Sequence, residues 1–498
     1  MLLNPEHCYQ ALLTHDSRFD GRFYVGVSST GIYCRPVCRV RTPKAVNCNF
    51  FPSAAAAEQE GYRPCLRCRP ERAPGYASTE AGARPAHIAA HHIDAGFLEG
   101  NSLAALALQL NISERHLRRV FAETFGVAPV QYAQTQKLLL ARRLLRDTQL
   151  SITDIAFAAG FGSLRRLHAL FQQKYEDAPG PWRKRHARAV KAGAGLSVDD
   201  SAIDDTIEIE LAYRPPYAWQ AQLDFLAGRA IAGIEAVIDA RYVRSVRIVR
   251  GDKIYCGWIS VGHTPARQSL SVRIAATLTP VLAAVCAKLR HLFDLGCDPD
   301  TISATVGPLA ATLPGLRVPG AFDGFEMAVR AILGQQISVA AARTLAGRVA
   351  AKFGTPMATP FAEITHIFPS AAEWPTDATT LSGIGITGNR VIALIELARR
   401  CASGALILEP SADIEPALTE LASIRGIGDW TADYIAMRAL AWPDAFLHTD
   451  YAIKKALGEA NPKRVLAIAE QWRPWRAYAT RYLWHSLSVK DTPNWRAV

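Results

Sequence analysis

The chain has 498 residues, of which 49% are hydrophobic, so it can form several buried cores in several domains. Its formal net charge is +11, and residues 1–190 hold 25 Lys and Arg against 15 Asp and Glu. This excess of positive charge favours a polyanionic partner. No run of eighteen apolar residues occurs, and the first residues lack the order of a secretory signal. These features argue against a membrane or secreted protein and predict a cytoplasmic one.

Two cysteine pairs lie near the start of the chain, Cys34 with Cys38 and Cys65 with Cys68, and twenty-six residues separate the pairs. Four thiolates in two closely spaced pairs are typical ligands of a tetrahedral zinc ion. A closed zinc site that only stabilises a small fold fits this spacing. A zinc-bound thiolate stays deprotonated, however, and can also be a nucleophile. The spacing predicts one zinc ion and leaves its role open.

The residues around the two pairs narrow this choice. Residues 30–39 (TGIYCRPVCR) and 61–70 (GYRPCLRCRP) resemble the methyl-phosphotriester-accepting domain of the adaptive-response alkylation regulators. The resemblance covers residues 1–72 and implies that Cys34 takes a methyl group from a DNA phosphotriester while the other three cysteines keep the metal. Zinc with four thiolates has a formal charge near −2, so methylation of one sulfur is expected to tighten DNA binding.

Two segments rich in Gly, Ala and Ser, residues 72–83 and 187–204, are predicted linkers. Between them, apolar residues recur at helical spacing and predict two helix-turn-helix units. In the first unit, a helix over 103–110 leads to Ser113, which caps a second helix, and in the second unit residues 152–163 lead to a similar helix. The second helices are expected to present four cationic side chains to DNA: Arg115, Arg118, Arg165 and Arg166.

A cationic helix face alone is more often simply solvated, so this prediction depends on the repeat of the unit and on two short sequences. Residues 125–129 (FGVAP) and 155–163 (IAFAAGFGS) resemble the AraC-type DNA-binding domain, over residues 84–187. The match departs at Leu167, where that family usually has an aromatic residue, and at residues 176–177, where a glycine is common. The resemblance implies a transcription regulator, with double-stranded DNA and RNA polymerase as candidate partners.

A different DNA-holding element is predicted in the C-terminal half. Residues 421–432 (LASIRGIGDWTA) place Gly426 and Gly428 between an apolar helix end and a new helix. Such a hairpin leaves N–H groups at a helix N-terminus that can bind a phosphate, although an ordinary glycine-capped turn has the same pattern. Asp450 follows Gly428 by twenty-two residues, and the combination resembles the helix-hairpin-helix DNA glycosylase superfamily. The predicted DNA contacts here are Arg425, Gly426 and Gly428.

The resemblance extends along residues 205–498 and is closest to the 3-methyladenine DNA glycosylase II family. It includes residues 329–338 (VRAILGQQIS) and 472–478 (WRPWRAY). Upstream, residues 214–219 (RPPYAW) and 292–299 (LFDLGCDP) are similar to the N-terminal α+β domain of that family.

By this resemblance Asp450 is the catalytic carboxylate. Alkylation at a ring nitrogen leaves a purine cationic and already a good leaving group, so the enzyme chiefly has to stabilise the electron-poor sugar, which an ionised carboxylate does. An Asp before a helix is also an ordinary N-cap.

The resemblance further implies an aromatic pocket that attracts cationic bases, and a wedge that enters the duplex when the nucleotide is flipped out. The pocket residues are Trp430, Tyr434, Trp484 and Phe225, and the wedge is Gln336 or Ile337.

Three sequence features limit the expected chemistry. In bifunctional members of the superfamily a lysine stands at the position of Trp430, so a monofunctional glycosylase that leaves an abasic site uncut is expected. Cys401 is the last cysteine of the chain, so the four-cysteine iron–sulfur site of some relatives is not expected. The chain also lacks the Pro-Cys-His-Arg sequence of alkylguanine transferases, so direct dealkylation of guanine is not predicted.

The expected fold class is a multi-domain, mainly α protein with α+β parts. Its predicted domains are a small zinc-bound α/β domain (1–72), two helix-turn-helix units (84–187), an α+β glycosylase domain (205–300) and an all-α helix-hairpin-helix glycosylase domain (301–498). The predicted function joins a methyl acceptor, a transcription regulator and an alkylpurine glycosylase. One alternative is a transcription regulator whose glycosylase half is a catalytically silent scaffold, and another is a zinc-stabilised repair enzyme without a regulatory role.

Overall fold

The computed structural model describes residues 3–74, 85–186, 206–386, 388–410 and 412–488. Most of the first predicted linker, residues 72–83, and all of the second, residues 187–204, therefore lie outside the described residues. Among the described residues, no helix has both the length and the apolar character needed to cross a membrane.

The N-terminal unit combines a four-stranded sheet with two helices. Its elements are α1 (Pro5–Leu13), β1 (Tyr24–Val27), β2 (Ile32–Cys34), β3 (Cys48–Phe51), α2 (Ala54–Gln59) and β4 (Arg63–Pro64). The strand order is β3-β1-β2-β4, in which β2 and β4 run parallel and the other pairs antiparallel. The hydroxyl of Ser53 caps α2 by accepting the Ala56 N–H at 3.0 Å and donates to the Phe125 carbonyl at 2.7 Å. One side chain therefore begins a helix and joins this unit to the next.

The second unit is helical throughout its described residues, as predicted. Its helices are α3 (Pro85–Asp94), α4 (Leu103–Gln109), α5 (Glu114–Phe125), α6 (Pro129–Asp147), α7 (Ile152–Ala158), α8 (Leu164–Tyr175) and α9 (Pro179–His186). Serine caps begin the second helix of each helix-turn-helix unit: Ser113 accepts the His116 N–H and Ser163 accepts the Arg166 N–H, both at 3.2 Å. The long helix α6 connects the two units.

The ends of α5 and α8 show the conformational cost of one departure from the AraC-type pattern. Gly126 ends α5 with φ +75°, a left-handed conformation that glycine adopts without strain. The equivalent residue after α8 is Glu176, which has φ +55°. A side chain in this conformation costs about 1–2 kcal/mol. The glycine that is common at this position would relieve that cost.

The third unit contains a five-stranded antiparallel sheet. Its elements are β5 (Thr206–Ala212), α10 (Trp219–Ala227), β6 (Glu235–Ile238), β7 (Arg241–Arg250), β8 (Lys253–Thr264), β9 (Ser269–Ala275) and α11 (Leu282–Leu292), with strand order β5-β9-β8-β7-β6. Alternate residues of β5, Ile207 and Ile209 among them, face inward. They belong to the same hydrophobic cluster as Leu144 of α6 and Phe171 of α8. The sheet and the second helix-turn-helix unit therefore share one core.

The fourth unit is built almost entirely from helices. They are α12 (Pro299–Val306), α13 (Pro308–Ala311), α14 (Gly324–Leu333), α15 (Val339–Phe353), α16 (Ala378–Ser382), α17 (Asn389–Ala402), α18 (Ile414–Ala422), α19 (Asp429–Arg438), α20 (Tyr451–Leu457), α21 (Pro462–Ala469) and α22 (Arg476–Ser486), with a short hairpin of β10 (Thr355–Pro356) and β11 (His366–Ile367). The predicted fold class, mainly α with α+β parts in several domains, is confirmed.

Two fully buried arginines join the N-terminal unit to the C-terminal half. Arg214 donates to the carbonyl of Asp20 at 2.8 Å, and Arg317 donates to the carbonyl of Arg214 at 2.5 Å. Both arginines are only 1% exposed. Nearby, Arg22 forms an ion pair with Asp298 at 3.2 Å. The unit that carries the four cysteines is therefore docked on the rest of the chain by buried charged groups.

We expect Glu176→Gly to raise the free energy of unfolding by about 1 kcal/mol, because it relieves the left-handed strain at the end of α8. The matched opposite change is Gly126→Ala, which should destabilise the protein because it introduces that strain and brings a Cβ to 3.1 Å from the Ala56 side chain. Midpoints of urea unfolding would measure both effects. A Glu176→Gly variant that unfolds at lower urea than wild type would contradict the prediction.

Candidate functional site

The four N-terminal cysteines form one cluster. The parallel pairing of β2 with β4 aligns Tyr33 with Pro64, and so brings the pair that begins at Cys34 next to the pair that begins at Cys65. The four Sγ atoms all lie within 4.8 Å of one another. A tetrahedral zinc ion with Zn–S bonds of about 2.3 Å sets the sulfurs about 3.8 Å apart. The donor set and its spacing therefore fit one zinc ion, held by Cys34, Cys38, Cys65 and Cys68.

Backbone groups and exposed cations surround this cluster. The Arg35 N–H donates to the Cys68 sulfur at 3.3 Å, and the Arg67 N–H donates to the Cys65 sulfur at 3.4 Å. Such outer donors orient thiolate ligands and offset part of their negative charge. Cys34 is 6% exposed. Arg39 follows Cys38 directly, Arg67 lies between Cys65 and Cys68, and both are exposed, so the surface around a cluster of negative sulfurs also carries positive charge.

The four predicted cations of the helix-turn-helix units lie on α5 and α8 and are exposed: Arg115, Arg118, Arg165 and Arg166. On the opposite side of the same helices, Leu117 and Leu167 are fully buried. Leu167 thus fills the core position where the AraC-type pattern usually has an aromatic residue. The two helices therefore have the polarity that the sequence predicts, with cations outward and apolar residues inward.

The predicted hairpin lies between α18 and α19. Gly426 has φ +98°, and a Cβ there would lie 3.0 Å from the Asn389 carbonyl, so only glycine fits without strain. Gly428 begins α19 and has open space around it, and Arg425 is exposed beside it. The side-chain amide of Gln335 donates to the Gly426 carbonyl at 2.8 Å. The hairpin is thus held against the end of α14 and presents a helix N-terminus.

Asp450 begins α20 and is held by three N–H donors. Its Oδ1 accepts the backbone N–H of Ile453 at 3.0 Å and the indole N–H of Trp484 at 3.2 Å. Its Oδ2 accepts the indole N–H of Trp430 at 2.9 Å. The residue is therefore an N-cap, as the sequence allows, but both carboxylate oxygens are also fixed in direction by the indoles of α19 and α22.

The four predicted pocket aromatics form a continuous set beside this carboxylate. Trp430 stacks on Tyr434 with ring centroids 5.2 Å apart and an interplanar angle of 10°. Trp484 lies 6.2 Å from Tyr434 and nearly parallel to Phe225, at 6.3 Å and 18°. Aromatic faces in this arrangement suit a flat, electron-poor ligand. The structure brings together all four residues and Asp450.

The two wedge candidates differ in conformation. Gln336 lies between α14 and α15, is exposed, and has φ +56°. Ile337, the next residue, is partly buried. A non-glycine residue held in a left-handed conformation at a protein surface is often functional. Of the two, Gln336 is the side chain that the backbone presents outward.

Sequence reasoning missed three arginines around Phe225, which we call the arginine cluster: Arg229, Arg438 and Arg481. Their guanidinium carbons lie 3.7, 5.0 and 4.4 Å from the centroid of the Phe225 ring. Arg438 and Arg481 lie four and three residues from a predicted pocket aromatic on the same helix, and residues so spaced share a helix face. Arg229 follows Phe225 by four residues and lies just beyond the end of α10. That spacing is the signal that could have located them.

Three family models match the chain in the same order as the structural units. The metal binding domain of Ada matches residues 7–71, a helix-turn-helix domain matches residues 106–185, and the AlkA N-terminal domain matches residues 208–323. A probable bifunctional transcriptional activator/DNA repair enzyme AlkA of Mycobacterium tuberculosis is 35% identical over 97% of this chain and 96% of the relative.

Two further relatives each match one half. DNA-3-methyladenine glycosylase 2 of Escherichia coli is 39% identical over 55% of this chain and 96% of the relative. The bifunctional transcriptional activator/DNA repair enzyme AdaA of Bacillus subtilis is 31% identical over 35% of this chain and 81% of the relative. A four-thiolate unit, two helix-turn-helix units and a helix-hairpin-helix unit define a DNA-binding fusion protein. More narrowly, the chain belongs to the family of the bifunctional transcriptional activator/DNA repair enzyme AlkA.

The predicted fusion of Ada-like, helix-turn-helix and AlkA-like parts is thereby confirmed. The domain boundaries at 1–72, 84–187, 205–300 and 301–498 stay predictions. The same holds for the roles of the individual site residues, for the expected lack of an iron–sulfur cluster, and for RNA polymerase as a partner.

We expect the purified protein to bind one zinc ion per chain, and Cys65→Ser to lose it because the site then lacks one of four thiolates. Cys48→Ser is the matched control, since Cys48 is partly buried in the same unit but outside the cluster. Metal analysis of the three proteins after dialysis measures the outcome. Equal zinc in Cys65→Ser and wild type would contradict the assignment.

Proposed function

We propose that this protein acts on alkylated DNA at two places. Its C-terminal half is a DNA glycosylase that removes cationic alkylated purines such as 3-methyladenine and leaves an abasic site. Its N-terminal half accepts a methyl group from a DNA phosphotriester and regulates transcription. The observation that carries the proposal is the Asp450 carboxylate, which the indoles of Trp430 and Trp484 fix at the edge of an aromatic pocket.

The glycosylase step needs little acid catalysis. The N-glycosidic bond breaks with its electron pair moving to the cationic purine, which leaves as a neutral base. Positive charge develops on the sugar, and the ionised Asp450 stabilises that charge through space. Water then adds to the anomeric carbon on the side where the carboxylate positions it, and its proton is lost to solvent. Trp430 supplies no amine for a Schiff base, so the strand stays intact.

DNA binding in this half uses the hairpin and the wedge. The helix N-terminus at Gly428, with Arg425 beside it, binds a backbone phosphate. Gln336 enters the duplex in place of the nucleotide that rotates into the aromatic pocket. Both elements are braced by one residue, because Gln335 donates to the Gly426 carbonyl and immediately precedes Gln336.

In the N-terminal half, Cys34 is the proposed methyl acceptor. Bound zinc would keep its sulfur deprotonated at neutral pH. The Cys34 sulfur attacks the methyl carbon of the phosphotriester, an S–C bond forms, the C–O bond breaks, and a phosphodiester anion leaves. The sulfur becomes a neutral thioether, so the cluster loses one negative charge and repels DNA less. The exposed arginines of α5 and α8 then hold promoter DNA more tightly, and RNA polymerase is a candidate partner of that complex.

A regulator with a silent glycosylase scaffold is less favoured. A scaffold needs no carboxylate fixed beside an aromatic pocket, whereas a glycosylase uses that charge to stabilise the electron-poor sugar. A repair enzyme without regulation is less favoured as well, because the chain has two capped helix-turn-helix units with exposed cations.

We expect Asp450→Asn to abolish release of 3-methyladenine from methylated duplex DNA, with at least a hundredfold loss of rate because the charge that stabilises the sugar is gone. Asparagine is as good an N-cap as aspartate, so α20 should keep its first turn and thermal stability should hardly change. Chromatography of released bases measures the rate. Wild-type activity in a folded Asp450→Asn protein would contradict the role of Asp450, whereas no base release from the wild type itself would favour the silent-scaffold alternative.

We expect a methyl-labelled phosphotriester to transfer its label to wild-type protein and not to Cys34→Ala. Mass spectrometry of peptides from the wild type locates the label directly, so the result does not depend on whether the variant retains its metal. Cys48→Ala serves as the control and should accept the label as the wild type does. Label on Cys38, Cys65 or Cys68 would move the acceptor role away from Cys34.

A further inference from the structure

A buried acid joins the strand that carries Cys34 to the second helix-turn-helix unit. Glu58 lies on α2, is 1% exposed, and accepts the Tyr33 hydroxyl on its Oε1 at 3.0 Å. The same oxygen accepts the hydroxyl of Tyr175, the last residue of α8, at 3.3 Å. Lys174, also on α8, donates to the main-chain carbonyl of Glu58. Because Tyr33 directly precedes Cys34 on β2, one carboxyl group bridges the proposed methyl acceptor and the end of α8.

The helix α6, which packs with α8 in one apolar core, contacts the other cysteine pair. Near the C-terminal end of α6, three side chains meet residues that lie next to or between Cys65 and Cys68. The contacts are hydrogen bonds from Arg142 to the Pro64 carbonyl at 3.4 Å, from Arg146 to the Leu66 carbonyl at 2.9 Å, and from Arg69 to the Asp147 carboxylate at 2.8 and 2.6 Å. Both cysteine pairs are therefore attached to the second helix-turn-helix unit and the helix that leads into it.

These two sets of contacts meet at one ring. The Arg142 guanidinium lies over Tyr175, 5.1 Å from the ring centroid, and over Trp182 of α9 at 5.3 Å. Tyr175 and Trp182 are only 8% and 6% exposed. Cation–π contacts shielded from water are stronger than those at a surface. The tyrosine whose hydroxyl binds Glu58 is thus itself held in place by α6.

The Glu58 carboxyl group is costly to bury. Burial raises its pKa to about 7, although Lys174, Arg142 and the two tyrosine hydroxyls act in the opposite direction. An apolar side chain of similar volume would fill the same space without that cost, so the carboxyl group adds little to stability. It adds direction instead, because a single oxygen that accepts two hydroxyls fixes both tyrosines relative to each other.

We propose that Glu58 is a positioning residue for methyl transfer from DNA to Cys34. It fixes β2 relative to α8, so that DNA held by the exposed arginines of α8 presents its phosphotriester at the Cys34 sulfur. A nucleophile held in place relative to its bound substrate reacts faster than one that is free to move away from it. This inference rests on the proposed acceptor role of Cys34. It adds that transfer from DNA depends on the second helix-turn-helix unit, whereas reaction with a small methyl donor does not.

The test compares two methyl donors on the zinc-loaded full-length protein, with labelling of Cys34 followed by mass spectrometry. One donor is a duplex with a single methyl phosphotriester, and the other is iodomethane, which needs no DNA docking. Glu58→Leu keeps a side chain of similar volume but accepts no hydrogen bond. We expect its transfer rate from saturating duplex to fall about tenfold, because two hydrogen bonds that place Cys34 are lost. Its rate with iodomethane and its zinc content should stay within about twofold of wild type, because the four thiolates are unchanged.

Three further variants separate the hydrogen bonds from other effects. Glu58→Gln keeps an acceptor oxygen and should accept methyl groups from DNA at nearly the wild-type rate. Tyr175→Phe breaks the bridge from the side of α8 and should lower that rate about threefold. Tyr9→Phe is the control, since it removes a hydroxyl that donates to the Pro43 carbonyl at 3.1 Å within the N-terminal unit.

The outcomes separate the role of Glu58 from that of Cys34. An unchanged rate of transfer from DNA in Glu58→Leu, or an equal fall with both donors, would overturn the positioning role. If Glu58→Leu loses its zinc, Tyr175→Phe decides, because Tyr175 lies outside the N-terminal unit, and a wild-type ratio of the two rates in that variant would overturn the role. Wild-type protein that iodomethane labels at Cys34 but methylated DNA does not would overturn the acceptor function itself.

Discussion

The docking of the N-terminal unit on the glycosylase half is centred on the buried guanidinium of Arg214. Arg214 donates to the backbone of Asp20, and its own carbonyl accepts a hydrogen bond from Arg317. Arg317 also donates to the carbonyl of Asp294, whose carboxylate accepts the hydroxyl of Tyr478 on α22. The same helix carries Trp484, whose indole donates to the Asp450 carboxylate. A continuous set of buried polar contacts thus runs from the cysteine-bearing unit to the base pocket, and buried polar networks hold their members in one arrangement when they are satisfied.

At its N-terminal end, the same set of buried polar contacts reaches the cysteine cluster. Arg35 donates through its guanidinium to the Asp20 carboxylate at 2.7 Å and to the Cys68 carbonyl at 3.1 Å, while its N–H donates to the Cys68 sulfur. The units also share apolar cores, since the second helix-turn-helix unit and the five-stranded sheet pack into one cluster. The predicted domains are therefore segments of the sequence that pack against one another, and the structure does not separate them into independent bodies. Buried charged groups and a shared apolar core join the described segments in space.

Much of the fold could be predicted because its signals are local. The cysteine spacing predicted a four-thiol cluster, which the structure brings together, and the serine caps located the starts of α5 and α8 since capping is a contact within one turn. The candidate site was predicted in part. Asp450 and its aromatic neighbours came from a resemblance, and the structure assembles them. The sequence did not reveal that Trp430 and Trp484 donate to opposite oxygens of one carboxylate, because those residues lie 20 and 34 positions from Asp450.

The sequence by itself determined the candidate residues and their local structure: four thiols at zinc spacing, two capped helices with cationic faces, and a glycine hairpin followed by a carboxylate. Only the tertiary structure decided the electrostatics of the pocket. Two members of the arginine cluster lie on α19 and α22 and the third lies just beyond the end of α10, and each looks like an ordinary surface arginine in its own segment. Folding removes them from water and places them around a single ring, and charge acquires its full effect only at short distance and low dielectric. Local pattern therefore fixes residue types and caps, while long-range packing fixes which charges meet.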